Sequence, residues 1–391
     1  MKKIELIATS AFGLEAVVAN ELKKLGYSDL QVENGRVGFS AGLEAIPRCN
    51  LWLRCADRLL VKIGDFETRS FDELFERTKG LEWSDWLPAN AEFPVEGKSI
   101  GSQLFSVSDC QAIVKKAVVE SMKKKYPLKW FPEDGPRYRI EVALLKNRAT
   151  LTIDTSGPGL HKRGYRQLSG EAPLKETLAA ALIYLSRWRP DRAFIDPCCG
   201  SGTIPIEAAL IGRNIAPGIN RDFAAQKWPL LPQPMWQQAR QEAQDAIILG
   251  QPLGIIGYDI DGAALELARY HARQVGLNQG ISFHRQPLSE LRSQYKYGYL
   301  VTNPPYGERL SEKEQVEKLY RELGQAAKNM DTWSFYVLTS HPLFEKHFGR
   351  RADKKRKLYN GRIQCNYYQF FGPRPERLQG PFAVSSPDSS T

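Results

Sequence analysis

The chain has no apolar run approaching the roughly 20 residues that span a bilayer, so no membrane partner is expected. Its opening residues, Met1-Lys2-Lys3-Ile4-Glu5, carry charge but no apolar stretch of signal-peptide length, which points to a cytoplasmic protein. The six cysteines, Cys49, Cys55, Cys110, Cys198, Cys199 and Cys365, include no Cys-x-x-Cys pair. That spacing indicates neither a zinc site nor a disulfide framework, and no metal is expected. There is no internal repeat and no coiled-coil heptad. Acid is in shorter supply than base: 54 Lys and Arg against 44 Asp and Glu give a net charge of +10, which favours a polyanionic partner.

What is present divides into two halves. In the first, Lys3 to Thr9 reads as a strand and Phe12 to Leu25 as a helix with Leu14, Val17, Val18, Leu22 and Leu25 on one face. Val32 to Phe39 is a strand pair turning at Asn34-Gly35, Ala41 to Leu51 a helix and Leu59 to Phe66 a strand. This is the ferredoxin-like order. From Ser70 a further unit offers short helices at Phe71 to Thr78 and Trp83 to Leu87, and a strand at Phe93 to Glu96. A longer helix at Gln111 to Lys125 and a hairpin around Lys146-Asn147 complete it. On that helix Ile113, Val114, Ala117, Val118 and Met122 face inward, while Lys115, Lys116 and Lys123 to Lys125 stay wet. These lysines read either as a solvated face or as a phosphate-contacting patch, and the net charge favours the patch. Ser156 to Glu171, with the basic cluster His161-Lys162-Arg163-Gly164-Tyr165-Arg166, reads as the joint between halves. It is either an RNA-backbone contact or a solvated linker.

The second half opens with the strand Ala193 to Ile195, the turn Asp196-Pro197-Cys198-Cys199-Gly200-Ser201-Gly202-Thr203, and a helix. Strand, glycine-rich turn and helix make the first unit of a doubly wound sheet. The turn lacks the third glycine of dinucleotide spacing and any Gly-Lys-Ser/Thr, so pyrophosphate or ATP is not expected there. Asp196 instead suits the amino group of an amino-acid moiety, as in S-adenosylmethionine. Cys198 and Cys199 have no adjacent base and read as small packing residues beside the cofactor. The strand ending at Asp259 places an acid where nucleoside-binding sheets hold ribose hydroxyls, and Asp261 reads as a helix N-cap. Asn214 to Met235, rich in proline and aromatics, is either a lid or part of a substrate cleft. Gln237 to Ile248 reads as a helix. The hairpin Arg356 to Phe370, turning at Asn360-Gly361, closes the folded part.

The stretch with most chemistry is Thr302-Asn303-Pro304-Pro305-Tyr306-Gly307-Glu308-Arg309, after the buried strand Tyr299 to Val301. An exocyclic or amide nitrogen is a poor nucleophile, because its lone pair is delocalised. Methylating it requires acceptors for both N–H bonds. The Asn303 side-chain oxygen and the Pro304 carbonyl can supply them. Pro304 and Pro305 bias the residues before them to extended backbone, and Tyr306 offers a face for stacking a base. Such a motif also serves DNA adenine-N6 and release-factor glutamine methylation, which need no RNA-binding half.

With these residues the chain resembles the THUMP-domain RNA methyltransferases, most closely the bacterial 23S rRNA guanine-N2 methyltransferases. The resemblance rests on Gly97-Lys98-Ser99-Ile100, Gln111 to Ala117, His161 to Arg166, Ala172 to Thr177, Asp196 to Glu207 and Thr302 to Leu310. It implies a ferredoxin-like part (1–68), a THUMP RNA-binding domain (69–158), a Rossmann-like class I methyltransferase domain (159–373) and a disordered tail (374–391). The fold class is thus α/β, with an α+β region ahead of a seven-stranded catalytic sheet whose last strand is antiparallel. The implied catalytic residues are Asn303, Pro304 and Tyr306. The implied S-adenosylmethionine contacts are Asp196, Cys198, Gly200, Gly202, Thr203, Asp259 and Leu288. Leu288 enters because Gln286-Pro287 stands where the family often has an acid, leaving a backbone contact to adenine. The implied RNA contacts are Lys98, Lys115, Lys116, Lys162, Arg163 and Arg166, with 23S rRNA the expected partner. A tRNA guanine-N2 methyltransferase of the same architecture, and a non-catalytic RNA-binding assembly factor, are the alternatives.

Overall fold

The structure, a computed structural model, describes residues 3–166, 174–250, 252–277, 279–307 and 313–374. The end of the joint (167–171) with the two residues after it, the end of the Asn-Pro-Pro-Tyr stretch (308–310) and the expected tail from 375 lie outside the described residues. The chain forms two compact units. One holds the described residues of Met1–Ser10, Val18–Leu160 and Arg221–Asp245; the other holds those of Ala11–Val17, His161–Asn220 and Ala246–Thr391.

The first unit begins with β1 (Ile4–Ser10), α1 (Glu15–Lys24), β2 (Gln31–Glu33), β3 (Arg36–Ala41), α2 (Ala45–Trp52) and β4 (Ala56–Glu67), the ferredoxin-like order expected. Then come α3 (Phe71–Lys79), β5 (Val95–Ile100), α4 (Val107–Met122), β6 (Arg139–Leu145) and β7 (Arg148–Asp154). β5 starts two residues later than expected, because Pro94 has no N–H to give to a ladder. The helix expected at Trp83 is only a 3-10 turn, Trp83–Asp85. The two sequence modules share one sheet, in the order β2-β3-β1-β4-β7-β6-β5. The length of β4 explains this. Leu60 and Val61 pair with β1 on one side and β7 on the other, and Gly64 to Glu67 run on to pair with β7 alone.

The second unit opens with α5 (Glu176–Ser186), β8 (Phe194–Asp196) and α6 (Thr203–Gly212). The chain then returns to the first unit for Arg221–Asp245, which contains α7 (Gln233–Asp245). This assigns most of the proline- and aromatic-rich insertion to that unit's fold. Trp228 stacks on Tyr138 with centroids 4.4 Å apart and donates its indole N–H to the Arg137 carbonyl at 3.0 Å. Arg221 donates to the carbonyls of Pro158 (2.6 Å) and Gly159 (2.8 Å). The aromatics are packing anchors. α7 starts four residues before the expected Gln237, since Pro234 fits a first helical turn, where its missing N–H costs nothing.

Back in the second unit follow β9 (Ile255–Asp259), α8 (Gly262–Gln274), β10 (Ile281–Arg285), β11 (Tyr299–Thr302), α9 (Lys313–Asn329), β12 (Ser334–Thr339), α10 (Phe344–Phe348), β13 (Lys354–Asn360) and β14 (Ile363–Phe370). The sheet order is β10-β9-β8-β11-β12-β14-β13, parallel through β12, with β14 antiparallel to both its neighbours. Leu300, Tyr320, Leu323, Phe335, Val337 and Phe344 are buried in the core beneath β11 and β12. The direction of winding reverses between β8 and β11. That is the switch point, where the strand ends splay apart and a ligand crevice opens.

Candidate active site

Two strand ends meet at this switch point. Register pairs Tyr299 with Phe194 and Leu300 with Ile195, so Asp196 and the Thr302-Asn303 step leave the sheet side by side. Thr302 Oγ1 donates to Asp196 Oδ1 at 2.7 Å, and the Cys198 N–H donates to the same oxygen at 3.2 Å. Burial pushes the Asp196 carboxyl up to about 7, against these two bonds, with Asp259 adding repulsion. None of the causes of that shift is a protein cation. A buried acid held in this way gains by meeting a cationic ligand group.

The crevice is a cleft of about 490 Å³. Asp196, Cys198, Gly200, Thr203 and Asn303 line it, together with residues that sequence reasoning missed: Leu174, Ser201, Asp261, Ala264 and Leu267 among them. Gly202, Asp259 and Leu288 do not line it. Asp259 instead accepts from the Gly200 N–H at 2.8 Å and the Asp261 N–H at 3.0 Å, so it shapes the turn. Asp261 caps α8 by accepting from the Ala263 N–H, as its sequence position indicates, and also borders the cleft. Leu288 is buried in the core beside β11. His271, fully buried on α8, sits with Nδ1 3.2 Å from the Ser201 carbonyl, so its proton must be on Nδ1 to hold the turn. No sequence signal marks a helix histidine 70 residues away.

The turn fits a nucleoside–amino-acid cofactor. Gly200 has φ of +50°, and a Cβ there would project into open space. The backbone can therefore come close to a ligand. Gly202, at φ of +81°, is closed on its other side: a Cβ would come within 2.9 Å of the Ala268 Cβ. Behind it α6 begins at Thr203, its first N–H groups free of intrahelical partners and suited to a carboxylate. Burial holds the thiols of Cys198 and Cys199 well above the ordinary range, so they stay protonated.

The RNA contacts read from the sequence need correction at three positions. Arg163 is buried and ion-paired with Glu207 at 3.3 Å, where Tyr165 also donates to Glu207. Arg166 pairs with Glu176 at 3.0 Å and donates to the Leu174 carbonyl at 3.1 Å. The joint thus turns its arginines inward. Lys115 is drawn to Glu133 (2.7 Å) and the Phe93 carbonyl (3.0 Å). A burying partner 10 to 44 residues away cannot be read from a local run of charge. Lys116 and Lys162 are exposed, and Lys98 is exposed while pairing with Glu141 at 2.8 Å.

Three known domain families match along the chain. The RMKL-like methyltransferase domain matches residues 163–369, the RlmL ferredoxin-like domain residues 5–60 and the THUMP domain residues 68–154. The chain belongs to the RMKL-like methyltransferase family. It is 51% identical over 380 residues to the putative RNA methyltransferase YpsC of Bacillus subtilis, covering 96% of this chain and 98% of that one. It is 35% identical over 388 residues to the ribosomal RNA large subunit methyltransferase K/L of Syntrophotalea carbinolica, covering 94% of this chain. It spans only 53% of that enzyme's length. A crystal structure of SMU.472, a putative methyltransferase complexed with SAH, superposes with a TM-score of 0.91 at 46% identity, covering 96% of this chain and all of that one. Membership makes the chain an RNA methyltransferase that uses S-adenosylmethionine and carries a THUMP domain.

Proposed function

We propose that the protein methylates the exocyclic N2 of a guanine in RNA, in 23S rRNA. Asn303 carries the reading: among the residues of Asn-Pro-Pro-Tyr it alone lines the cofactor cleft, directly after the strand that contacts Asp196. When bound, S-adenosylmethionine supplies an electrophilic methyl group. Asp196 holds the cofactor's ammonium, and the backbone at Gly200 and the start of α6 receive its nucleoside and carboxylate ends. Asn303 Oδ1 and the Pro304 carbonyl accept the two N–H bonds of the guanine amine, so that its lone pair faces the methyl group. Held by these acceptors, the amine would receive the methyl group from the sulfonium, which would leave as a neutral thioether, and the proton lost from the methylated nitrogen would pass to solvent. Positioning does most of the work. A guanine within folded RNA must leave its stack to reach these acceptors. The large-subunit target rests on the 35% identity to the K/L enzyme, of which this chain corresponds to about half.

Single-turnover transfer from labelled cofactor to RNA of a strain lacking the gene tests this. Asn303→Ala is expected to slow transfer by a factor on the order of 100 to 1,000, because it removes an oriented acceptor where charge develops. Cofactor affinity is expected to persist. A near-normal rate sinks the role of Asn303, and a methyl group mapped to tRNA sinks the ribosomal assignment.

A further inference from the structure

Asn303 is the end of a chain of hydrogen bonds. Tyr306 Oη donates to Asn303 Oδ1 at 2.5 Å, and Asn360 Nδ2 donates to Tyr306 Oη at 3.2 Å. Asn360 is the last residue of β13, at the tip of the closing hairpin, 54 residues beyond Tyr306. That tip is fixed in turn: Arg356 donates to the Gly13 carbonyl at 2.6 Å, and the ring of Tyr359 meets Phe12 edge-on at 6.1 Å. On the other flank Tyr320 donates to the Pro305 carbonyl at 2.8 Å and lies 2.8 Å from Thr339 Oγ1. The motif loop is thus gripped from α9, β12 and β13.

We propose that Asn360 is a positioning residue for methyl transfer, which fixes through Tyr306 the direction in which the Asn303 amide faces. This rests on the reading of Asn303 as an acceptor for the target amine. A phenol has one proton. Burial pushes the Tyr306 hydroxyl well above its ordinary range, so that proton stays in place. Nδ2 of Asn360 can only donate, so it occupies a lone pair of Tyr306 and sends the phenolic proton to Asn303. The neighbouring Cys365 thiol, which donates to the Ile363 carbonyl at 3.8 Å, also interacts with the Tyr306 hydroxyl, but sulfur is a weak acceptor, so the phenolic proton favours Asn303 Oδ1 at 2.5 Å. An amide is nearly symmetric in shape, and its oxygen and nitrogen exchange places by a flip. With Oδ1 held by Tyr306 the flip is blocked, and the second lone pair of Oδ1 is left for the incoming N–H. A flipped Asn303 would set its own NH2 against the substrate's.

Asn360→Asp tests the direction of the chain, because a carboxylate keeps the shape but only accepts. It draws the Tyr306 proton away from Asn303 and turns an oxygen lone pair toward Oδ1. Methyl transfer is measured in single turnover at pH 8 with labelled S-adenosylmethionine and total RNA from a strain lacking the gene. Calorimetric S-adenosylhomocysteine affinity, expected unchanged, reports that each variant is folded. Asn360→Ala is expected to slow transfer by about 3- to 10-fold and Asn360→Asp by about 30-fold or more. In a Tyr306→Phe background there is no proton to redirect, so Asn360→Asp should cost no more than Asn360→Ala. An aspartate variant no slower than the alanine variant, or one with the same extra penalty in both backgrounds, overturns the proposal. Failure of the underlying reading is separate: it shows as Asn303→Ala transferring at the wild-type rate.

Discussion

Asp196 and Glu207 are both buried carboxylates of the second unit, eleven positions apart around the same turn and helix, yet they are held in opposite ways. Glu207 has its cation inside the protein: Arg163 pairs with it and Tyr165 donates to it. Among the described residues Asp196 has only a hydroxyl and an N–H on one oxygen, and its carboxyl is pushed up to about 7. A buried charge is stable when paired and costly when not. Glu207 is therefore part of the frame, and Asp196 is left to gain from a cationic partner, the role proposed for it above.

The comparison breaks most visibly at Arg163. Arg163→Met leaves Glu207 buried without its cation and is expected to destabilise the protein by about 3–5 kcal/mol, read from urea unfolding. A change within half a kcal/mol would show that Glu207 finds another partner. Next in size is Asp196→Asn, which is expected to cost about 1.5–3 kcal/mol of S-adenosylmethionine affinity in calorimetry, since a charged acceptor for the ammonium is lost. Unlike Arg163→Met, it should leave the free protein as stable or more stable at pH 8. The sign follows from the raised carboxyl. In the free protein the contribution of Asp196 is fully present below its unfolded pKa of about 4 and is lost as pH rises through about 7, so the neutral isostere avoids that loss.

The same shift sharpens the comparison through pH. The cofactor's ammonium favours ionised Asp196, so affinity should rise by up to about tenfold per pH unit below 7 and level off above it. Asp196→Asn should flatten that rise; an equally steep rise in the variant would place the titrating group elsewhere. The smallest effect is expected at Glu176, which resembles Glu207 in having an arginine partner, Arg166. Glu176→Gln keeps an acceptor oxygen, and unfolding should shift by about 1 kcal/mol or less.

Part of the cleft's lining was legible because it is local in sequence. Asp196, Gly200 and Thr203 fall within one turn, and Asn303 directly follows a strand. Strand ends and glycine turns announce themselves by pattern, and the ferredoxin-like order followed from periodicity and the Asn34-Gly35 turn. The basic joint failed for the converse reason. Its arginines are decided by Glu207 and Glu176, and Lys115 by Glu133. Nothing in a run of positive charge says which members will find a carboxylate inside. The insertion after Asn214 stayed ambiguous because aromatics suit a lid as well as an anchor, and only Tyr138 and Arg137 show which one Trp228 is.

From residues near one another in the chain came the doubly wound order of the catalytic half, the place of the glycine turn and the position of Asn303 at a strand end. Each of these depends on residues a few positions apart, where backbone preference and side-chain chemistry act directly. Tertiary structure alone decided that two N-terminal modules share one sheet and that Arg163 faces inward. It also decided that His271 holds the Ser201 carbonyl and that Asn360 reaches Tyr306. Those outcomes depend on which distant surfaces lose water together, and burial is what turns a charge or an amide from a solvated group into one that must be paired.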